Sequence, residues 1–155
     1  MSLLDAEATQ LVLPAEIPWG ELWTGIEMKM LKIGAADGNY PHVHRFAPGS
    51  VLPAPRHVGA VHAYTIRGAW CYREYDWVAR AGDFIYEPPD SVHTLMVPSD
   101  CTEPTEVIFH IEKALIVLDD AGNDMLSQDG PTIDAMYRHA LESRGIRYPE
   151  GAVLP

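Results

Sequence analysis

Thirteen prolines and twelve glycines divide this 155-residue chain into short segments. This punctuation is the feature that most limits what the chain can fold into. Most segments between these residues are rich in Val, Ile, Tyr, Trp and Thr, which favour strands. Many brief strands joined by turns must protect their edges from pairing with other chains, which favours a sandwich or a closed barrel. We therefore predict an all-β, single-domain barrel with a ligand-sized interior.

The predicted strands are 28–33, 40–46, 61–66, 69–77, 83–86, 92–97 and 106–117, the last interrupted near Lys113. A turn is predicted at 119–122. The C-terminal part differs, because apolar residues recur there at helical spacing, with Thr132 as the candidate N-cap and Gly145 as the stop. The predicted organisation is an N-terminal arm over 1–20, a barrel over 21–130 and a helix over 131–145 that packs on the barrel.

The charge balance excludes some classes of partner. Acidic residues outnumber basic ones 22 to 11, and the net charge of -11 would repel phosphate backbones and anionic lipid surfaces. No nucleic acid or membrane partner is expected, since apolar runs such as 114–118 are too short to span a bilayer. The N-terminus lacks the pattern of a signal peptide, so a cytoplasmic location is expected. Cys71 and Cys101 are accordingly expected to be reduced thiols.

Glycine, proline and histidine recur at fixed spacings in two frames. The first frame runs Gly49, five residues, Pro55, one residue, His57, three residues, Val61, six residues, Gly68. The second runs Gly82, five residues, Pro88, four residues, His93. One such frame arises by chance fairly often, but two in this order within a strand-rich segment form a specific pattern.

These frames resemble the two cupin motifs, in which glycine, five residues, His-x-His, glutamate and glycine precede glycine, five residues, proline, four residues and histidine. The stretches VHAYTIRGAW, YREYDWVARAGDFIYEPPDSVHTL and VIFHIEKALIVLDDAGN resemble the cupin branch of 2,4'-dihydroxyacetophenone dioxygenase, over Gly49 to Gly122. Acetylacetone-cleaving dioxygenases share its three-histidine plan. The resemblance implies a double-stranded β-helix, or jelly-roll, cupin barrel. It also implies a non-haem iron held by three histidines, and cleavage by dioxygen of a carbon–carbon bond beside a ketone in a small hydroxyketone or diketone.

Carried over by position, the resemblance implies that His57 and His93 are metal ligands. Pro55 occupies the slot of the first histidine, and Val61 stands where many cupins have a glutamate that the three-histidine branch lacks. Two imidazoles alone hold a transition metal weakly. Two hypotheses follow: a dioxygenase with Fe(II), or Zn or Ni as purified, and a non-catalytic or weakly metal-binding cupin that binds a small molecule.

Several residues are candidates for the missing donor or for catalysis. His62 is predicted as the third ligand, although strand alternation turns residue 62 away from the face of residue 61 unless a bulge intervenes. Glu74 is a candidate carboxylate ligand or base, against the alternative of an exposed strand charge. His110 is a reserve ligand or catalytic residue, against a hydrogen-bonded core imidazole. His42 and His44 share one strand face like a ligand pair but precede the first frame.

An aromatic cluster accompanies the two frames. Its members either wall a pocket that stacks the substrate or, as is commoner in strands, pack in the core or a dimer interface. They are Trp70, Tyr72, Tyr75, Trp77, Phe84 and Tyr86. Pro88 and Pro89 fix the turn that presents His93. The expected partners are a small-molecule substrate, dioxygen and a second copy of the chain in a homodimer.

Overall fold

The computed structural model describes residues 8–53 and 55–155, so residues 1–7 of the predicted arm lie outside the described residues. A short 3-10 turn at Pro14–Glu16 precedes the strands. The strands are β1 Gly20–Trp23, β2 Ile26–Met30, β3 Tyr40–Phe46, β4 Val51–Leu52, β5 Arg56–His57, β6 Val61–Arg67, β7 Ala69–Tyr72, β8 Ala79–Arg80, β9 Phe84–Glu87, β10 Leu95–Met96, β11 Thr105–Ile111, β12 Ala114–Leu118 and β13 Asp124–Asp129. One helix, α1 at Gly130–Glu142, follows the last strand.

Three antiparallel sheets surround one interior. The largest has the order β1-β2-β3-β11-β6-β9, the second β4-β10-β7-β8 and the third β13-β12-β5. Alternate residues of each long strand face inward, as in β11, where Val107, Phe109 and Ile111 are buried. The predicted all-β barrel with a C-terminal helix is confirmed.

The strand prediction was most accurate where the hydrophobic pattern was longest. β3 has the predicted bounds, and the predicted 106–117 strand is interrupted as expected, because β11 ends at Ile111 and β12 begins at Ala114. Lys113 between them has a φ of 65°, and its N–H donates to the Asn39 side chain at 2.6 Å. The prediction for 69–77 was wrong beyond Tyr72, because a turn follows at 73–76. Five strands were not predicted, namely β1, β4, β5, β8 and β13, and proline-rich sequence surrounds β4 and β5.

The helix closes the barrel over β1. Thr132 is not its N-cap as predicted, because Asp129 takes that position and its side chain accepts a hydrogen bond from the Thr132 N–H at 3.1 Å. Tyr137 and Leu141 are fully buried, and Gly20 lets the helix approach, since a Cβ at Gly20 would lie 2.8 Å from the Tyr137 ring. Within the described residues, no helix combines the length and apolar character needed to cross a membrane.

Candidate metal centre

A cavity of about 80 Å³ lies between the three sheets. A buried water needs only about 10–15 Å³ by the same measure, so the cavity has room for an ion with small ligands. Most of its wall is apolar. The polar side chains that line it are Tyr40, His42, His44, His57, Tyr72, Glu87, His93 and Gln128. Four imidazoles and one carboxylate therefore share a single interior space.

His57 and His93 line this cavity together because their backbone segments are hydrogen-bonded to each other. The His57 N–H donates to the Ser91 carbonyl at 3.2 Å, and the Asp90 N–H donates to the His57 carbonyl at 2.7 Å. Arg56 also forms an isolated bridge with Val92. These contacts join β5, which carries the first motif histidine, to the loop after β9, which carries the second. Two histidines far apart in the sequence are thus brought to one site.

Both imidazoles are held in the neutral form. Burial, followed by the nearby His93, lowers the pKa of His57 to about 4. Burial also lowers the pKa of His93, against a smaller opposite effect of Glu74. Neutral imidazole is the form that binds metals. The Nδ1 atoms of His57 and His93 are buried and have no hydrogen-bond partner among the described residues.

Glu87 is the functional candidate that sequence reasoning missed. It ends β9 directly opposite Val61 of β6, so the carboxylate absent from position 61 is supplied by the neighbouring strand. Glu87 is only 3% exposed. Tyr72 donates a hydrogen bond of 2.8 Å to Oε2, while Oε1 has no partner among the described residues. The available signal was alternation in β9, because exposed Phe84 and Tyr86 turn Glu87 inward.

The Glu87 carboxyl and the His93 ring are not a conventional salt bridge, although Oε1 lies 3.9 Å from Nε2. Burial raises the pKa of Glu87 to about 7, against the lowering effect of the Tyr72 hydrogen bond. Because burial also lowers the pKa of His93, both groups are shifted toward their uncharged forms. The buried Glu87 Oε1 therefore faces His93 Nε2 at a distance too long for a hydrogen bond.

His42 and His44 of β3 enter the same cavity. The Nδ1 of His42 is 3.1 Å from the Tyr40 carbonyl, and the Nδ1 of His44 is 3.1 Å from the Glu27 carbonyl. A carbonyl only accepts, so each Nδ1 carries the proton and each Nε2 carries a lone pair, as in metal-bound histidines. Burial lowers the pKa of His44 to about 4 and that of His42 well below its usual value. Both rings are neutral acceptors.

His62 and His110 lie outside the barrel. Val61, Ala63 and Thr65 are buried, which leaves His62 on the outer face, where its side chain is 38% exposed. β6 is regular at this point, so alternation was decisive and His62 does not join His57 and His93 as predicted. His110 lies opposite His62 on the same outer face. It therefore has no place in the interior cavity as a catalytic residue.

Glu74 is also outside the cavity. It lies in the exposed turn after β7, and both of its carboxylate oxygens accept from the Thr94 N–H, at 3.1 and 3.0 Å. These hydrogen bonds hold Thr94, the residue after His93, against the turn that carries Glu74. The structure therefore gives Glu74 a positioning contact and does not bring it to the interior as a ligand or base.

The aromatic cluster divides between core and groove. Trp70 is fully buried and donates to Thr65 at 2.8 Å. Four others line an open groove of about 430 Å³ that also contacts Tyr72, Glu87 and His93, namely Tyr75, Trp77, Phe84 and Tyr86. Core packing thus holds for Trp70, while substrate stacking by the groove residues stays a prediction; the groove and the cavity share Tyr72, Glu87 and His93 in their linings.

The ChrR cupin-like domain model matches residues 7–116. A protein of unknown function with a cupin-like fold from Ralstonia eutropha JMP134 is 29% identical, with a TM-score of 0.78 over 92% of this chain and 93% of that one. An RmlC-like cupin from the same organism is 26% identical, with a TM-score of 0.81 over 98% of both chains. No curated protein sequence matches the chain.

An acetylacetone dioxygenase from Acinetobacter johnsonii is also structurally similar. It is 14% identical and has a TM-score of 0.72 over 88% of this chain and 94% of that one. At this identity the likeness shows the fold alone. Together with the family match, these comparisons confirm the predicted cupin fold.

Proposed function

Because the chain belongs to the ChrR cupin-like domain family, we propose that it is a metal-dependent cupin dioxygenase. Its reaction is the cleavage, by dioxygen, of a carbon–carbon bond beside the ketone of a small hydroxyketone or diketone. The observation that carries the proposal is that His57, His93 and Glu87 line one cavity, in which Glu87 Oε1 is buried without a partner among the described residues and lies 3.9 Å from His93 Nε2.

These three residues offer the donor types of a divalent-metal site, but their donor atoms do not all lie within 4.8 Å of one another, so the side chains must move closer together to bind one ion. Buried polar atoms without partners are costly, and a shared cation removes that cost. Two histidines and one carboxylate with open positions are the donor set typical of non-haem Fe(II) oxygenases. His93 Nε2 and Glu87 Oε1 lie 3.9 Å apart, slightly farther than the roughly 3–3.5 Å that separates two donors with bonds of about 2.0–2.2 Å to one ion, so a small side-chain movement would bring both onto the same ion. We propose that His57, His93 and Glu87 hold the metal, with Fe(II) as the native ion.

When bound, such a metal polarises the ketone oxygen of the substrate and provides a position for dioxygen. Residues of the chain position the carboxylate ligand, orient the substrate and exclude water. Tyr72 holds the Glu87 carboxylate through its hydrogen bond to Oε2. The Nε2 lone pairs of His42 and His44 accept hydrogen bonds from a substrate hydroxyl, which orients the hydroxyketone. The apolar wall excludes bulk water from the site.

The groove gives the substrate a route to this site. Tyr75 and Trp77 are stacked with ring centroids 5.7 Å apart, and Tyr75 also contacts His93, with centroids 5.0 Å apart. Aromatic faces bind planar rings by offset stacking. An aromatic hydroxyketone would therefore be guided along the groove toward Glu87 and His93.

Metal content and oxygen uptake test the proposal together. Iron-loaded protein is offered aromatic hydroxyketones and β-diketones, and uptake is followed with an oxygen electrode. We expect about one iron per chain inside the barrel and substrate-dependent uptake. In His57→Ala, both should fall by more than the roughly 10–100-fold loss caused by removing an outer-shell partner. Absence of both iron and uptake in the wild type would end the proposal.

The second candidate function is a cupin that binds a small molecule without turning it over. Pro55 favours it, because this residue lines the cavity in the slot of a metal ligand and has no donor side chain. In that case a ligand still binds, as measured by calorimetry, while oxygen uptake stays at background. Ligand binding that survives in His57→Ala would support this alternative over the enzyme.

We also propose that the protein forms a homodimer. Large apolar side chains are exposed on the outer face of β6 and β9, among them Tyr64, Phe84 and Tyr86. Exposed apolar patches of this kind mark association sites. Light scattering coupled to size exclusion should give twice the mass of one 17.2 kDa chain. A monomer at micromolar concentration would contradict the expectation.

A further inference from the structure

We propose that the outer face of the six-stranded sheet carries a second divalent-metal site, formed by His62, His110 and Glu112. Each residue offers one donor atom, and the three atoms lie within 4.8 Å of one another. The site is on the opposite side of the sheet from the cavity. It therefore does not rest on the proposed function, and none of its three ligands is a residue proposed to hold the inner metal.

Strand pairing places the two imidazoles side by side. His62 of β6 is the register partner of His110 of β11, and directly opposite residues have Cβ atoms about 4.5–5.5 Å apart. The two rings are nearly parallel, with an interplanar angle of 23° and centroids 6.1 Å apart. Two neighbouring strands thus present two imidazole donors on one face, with no rearrangement needed.

Glu112 is fixed next to this pair by close packing of the backbone. Its N–H donates to the Ala60 carbonyl at 3.0 Å. Gly59 makes the approach feasible, because a Cβ there would lie 2.6 Å from the Glu112 carbonyl oxygen and 2.8 Å from its Cβ. Lys113, the residue after Glu112, has a left-handed backbone conformation that turns the chain away from the strand direction. The third donor is therefore held by the backbone on both sides.

An unpartnered atom points to a ligand at this site. The Nδ1 of His62 is buried without a hydrogen-bond partner among the described residues, although the ring as a whole is partly exposed. It faces Glu112 Oε1 at 3.9 Å, which is too long for a hydrogen bond and within about half an ångström of the roughly 3–3.5 Å that separates two donors on one ion. A cation between them would satisfy both atoms.

The surroundings also favour a cation. The Tyr86 and Phe84 rings flank His62, with centroids 5.5 and 6.1 Å from it. The chain's net charge of -11 attracts positive ions in general. Two imidazoles and one carboxylate with open positions suit Zn²⁺ or Ni²⁺. In the single chain the His62 side chain is partly exposed, and the site borders Phe84 and Tyr86 of the face proposed for the dimer.

Zinc titration of metal-free protein tests this site. Calorimetry is run on the wild type, on His110→Gln and Glu112→Gln in the outer cluster, and on His57→Ala in the inner one. We expect one equivalent of Zn²⁺ to bind to His57→Ala. In the two outer variants, the affinity of that equivalent should fall on the order of tenfold or more. Circular dichroism spectra matching the wild type show that each variant is folded.

Outcomes for the inner and outer sites are distinguishable. An equivalent that is lost in His110→Gln and Glu112→Gln but kept in His57→Ala supports the outer site, whether or not the inner site binds zinc. Wild-type stoichiometry and affinity in both outer variants would overturn it. Loss of all zinc binding in His57→Ala would overturn it as well, provided that variant is folded.

Discussion

The inner and outer clusters contain the same types of donor but differ in their environment. His57, His93 and Glu87 are buried within the barrel, where burial shifts all three pKa values toward the uncharged forms. His62 and His110, on the outer face, are both partly exposed. The inner cluster thus lowers the free energy of unfolding of the metal-free protein, whereas the outer cluster has little effect on it. Buried donors that destabilise a protein until a ligand arrives are typical of functional sites.

The largest expected effect is a change in the free energy of unfolding when Glu87 is replaced. Its folded pKa of about 7 exceeds the ordinary value of 4.5, so the folded protein binds more protons than the unfolded chain between those values. Stability from this group is present at low pH and is lost as pH rises through 7. Glu87→Gln should therefore raise the free energy of unfolding of metal-free protein at pH 8 by roughly 3 kcal/mol, at about 1.4 kcal/mol per pKa unit.

Urea denaturation at pH 8 and pH 4 checks this prediction, since the gain should disappear at pH 4. The same variant should bind iron less tightly, because a neutral amide replaces the carboxylate. A variant that is less stable than the wild type at pH 8 would show that the Glu87 carboxylate has a structural partner that this account lacks.

The second-largest expected effect is on the pH dependence of stability, when His44 is replaced. Its folded pKa of about 4 is below the ordinary value of 6.5, so the unfolded chain binds more protons between these values. This group's stability is present above pH 6.5 and is lost as pH falls toward 4. His44→Gln should reduce the loss of stability between pH 7 and pH 5 by roughly 2 kcal/mol. Denaturation midpoints at the two pH values measure it, and His139→Gln, in the exterior helix, is the control.

A smaller effect is expected at Pro55. Pro55→His would add a fifth imidazole to the cavity wall, in the motif slot that this chain leaves without a donor. Since each added ligand fixes a transition metal more firmly, affinity for Fe(II) or Zn²⁺ should rise on the order of tenfold. Competition with a colorimetric chelator measures the change. Unchanged affinity would mean that position 55 does not face the bound ion.

The smallest effect is expected in the outer cluster. His62→Gln should change the free energy of unfolding of metal-free protein by no more than about 0.5 kcal/mol, as is usual for surface substitutions. Oxygen uptake and the iron bound inside the barrel should match the wild type. A loss of uptake in this variant would break the separation between the two clusters.

The sequence predicted much of the fold because its signals were local. The alternation in β3 and the interruption near Lys113 depend on neighbouring residues, and both were predicted. The motif spacing identified His57 and His93, which the structure brings to one cavity. Their convergence depends on the hydrogen bonds between β5 and the Asp90–Ser91 segment, which the spacing alone does not reveal.

The errors in the site arose from pairing between distant strands. Glu87 was missed because its importance depends on its register with Val61, and register is a property of two strands. His62 was assigned to the interior although alternation favoured the outer face, because the missing ligand at Pro55 was sought among neighbours in the sequence. His42 and His44 were set aside as upstream of the motif, yet β3 delivers both to the cavity.

The central claim is that His57, His93 and Glu87 hold one divalent ion inside the barrel. A crystal structure of iron-loaded protein, with anomalous diffraction data collected at the iron absorption edge, tests it most directly. The account predicts a peak within about 2.0–2.2 Å of one donor atom from each of these three residues. A barrel interior without a peak, in crystals of protein that has been loaded with iron, would contradict it.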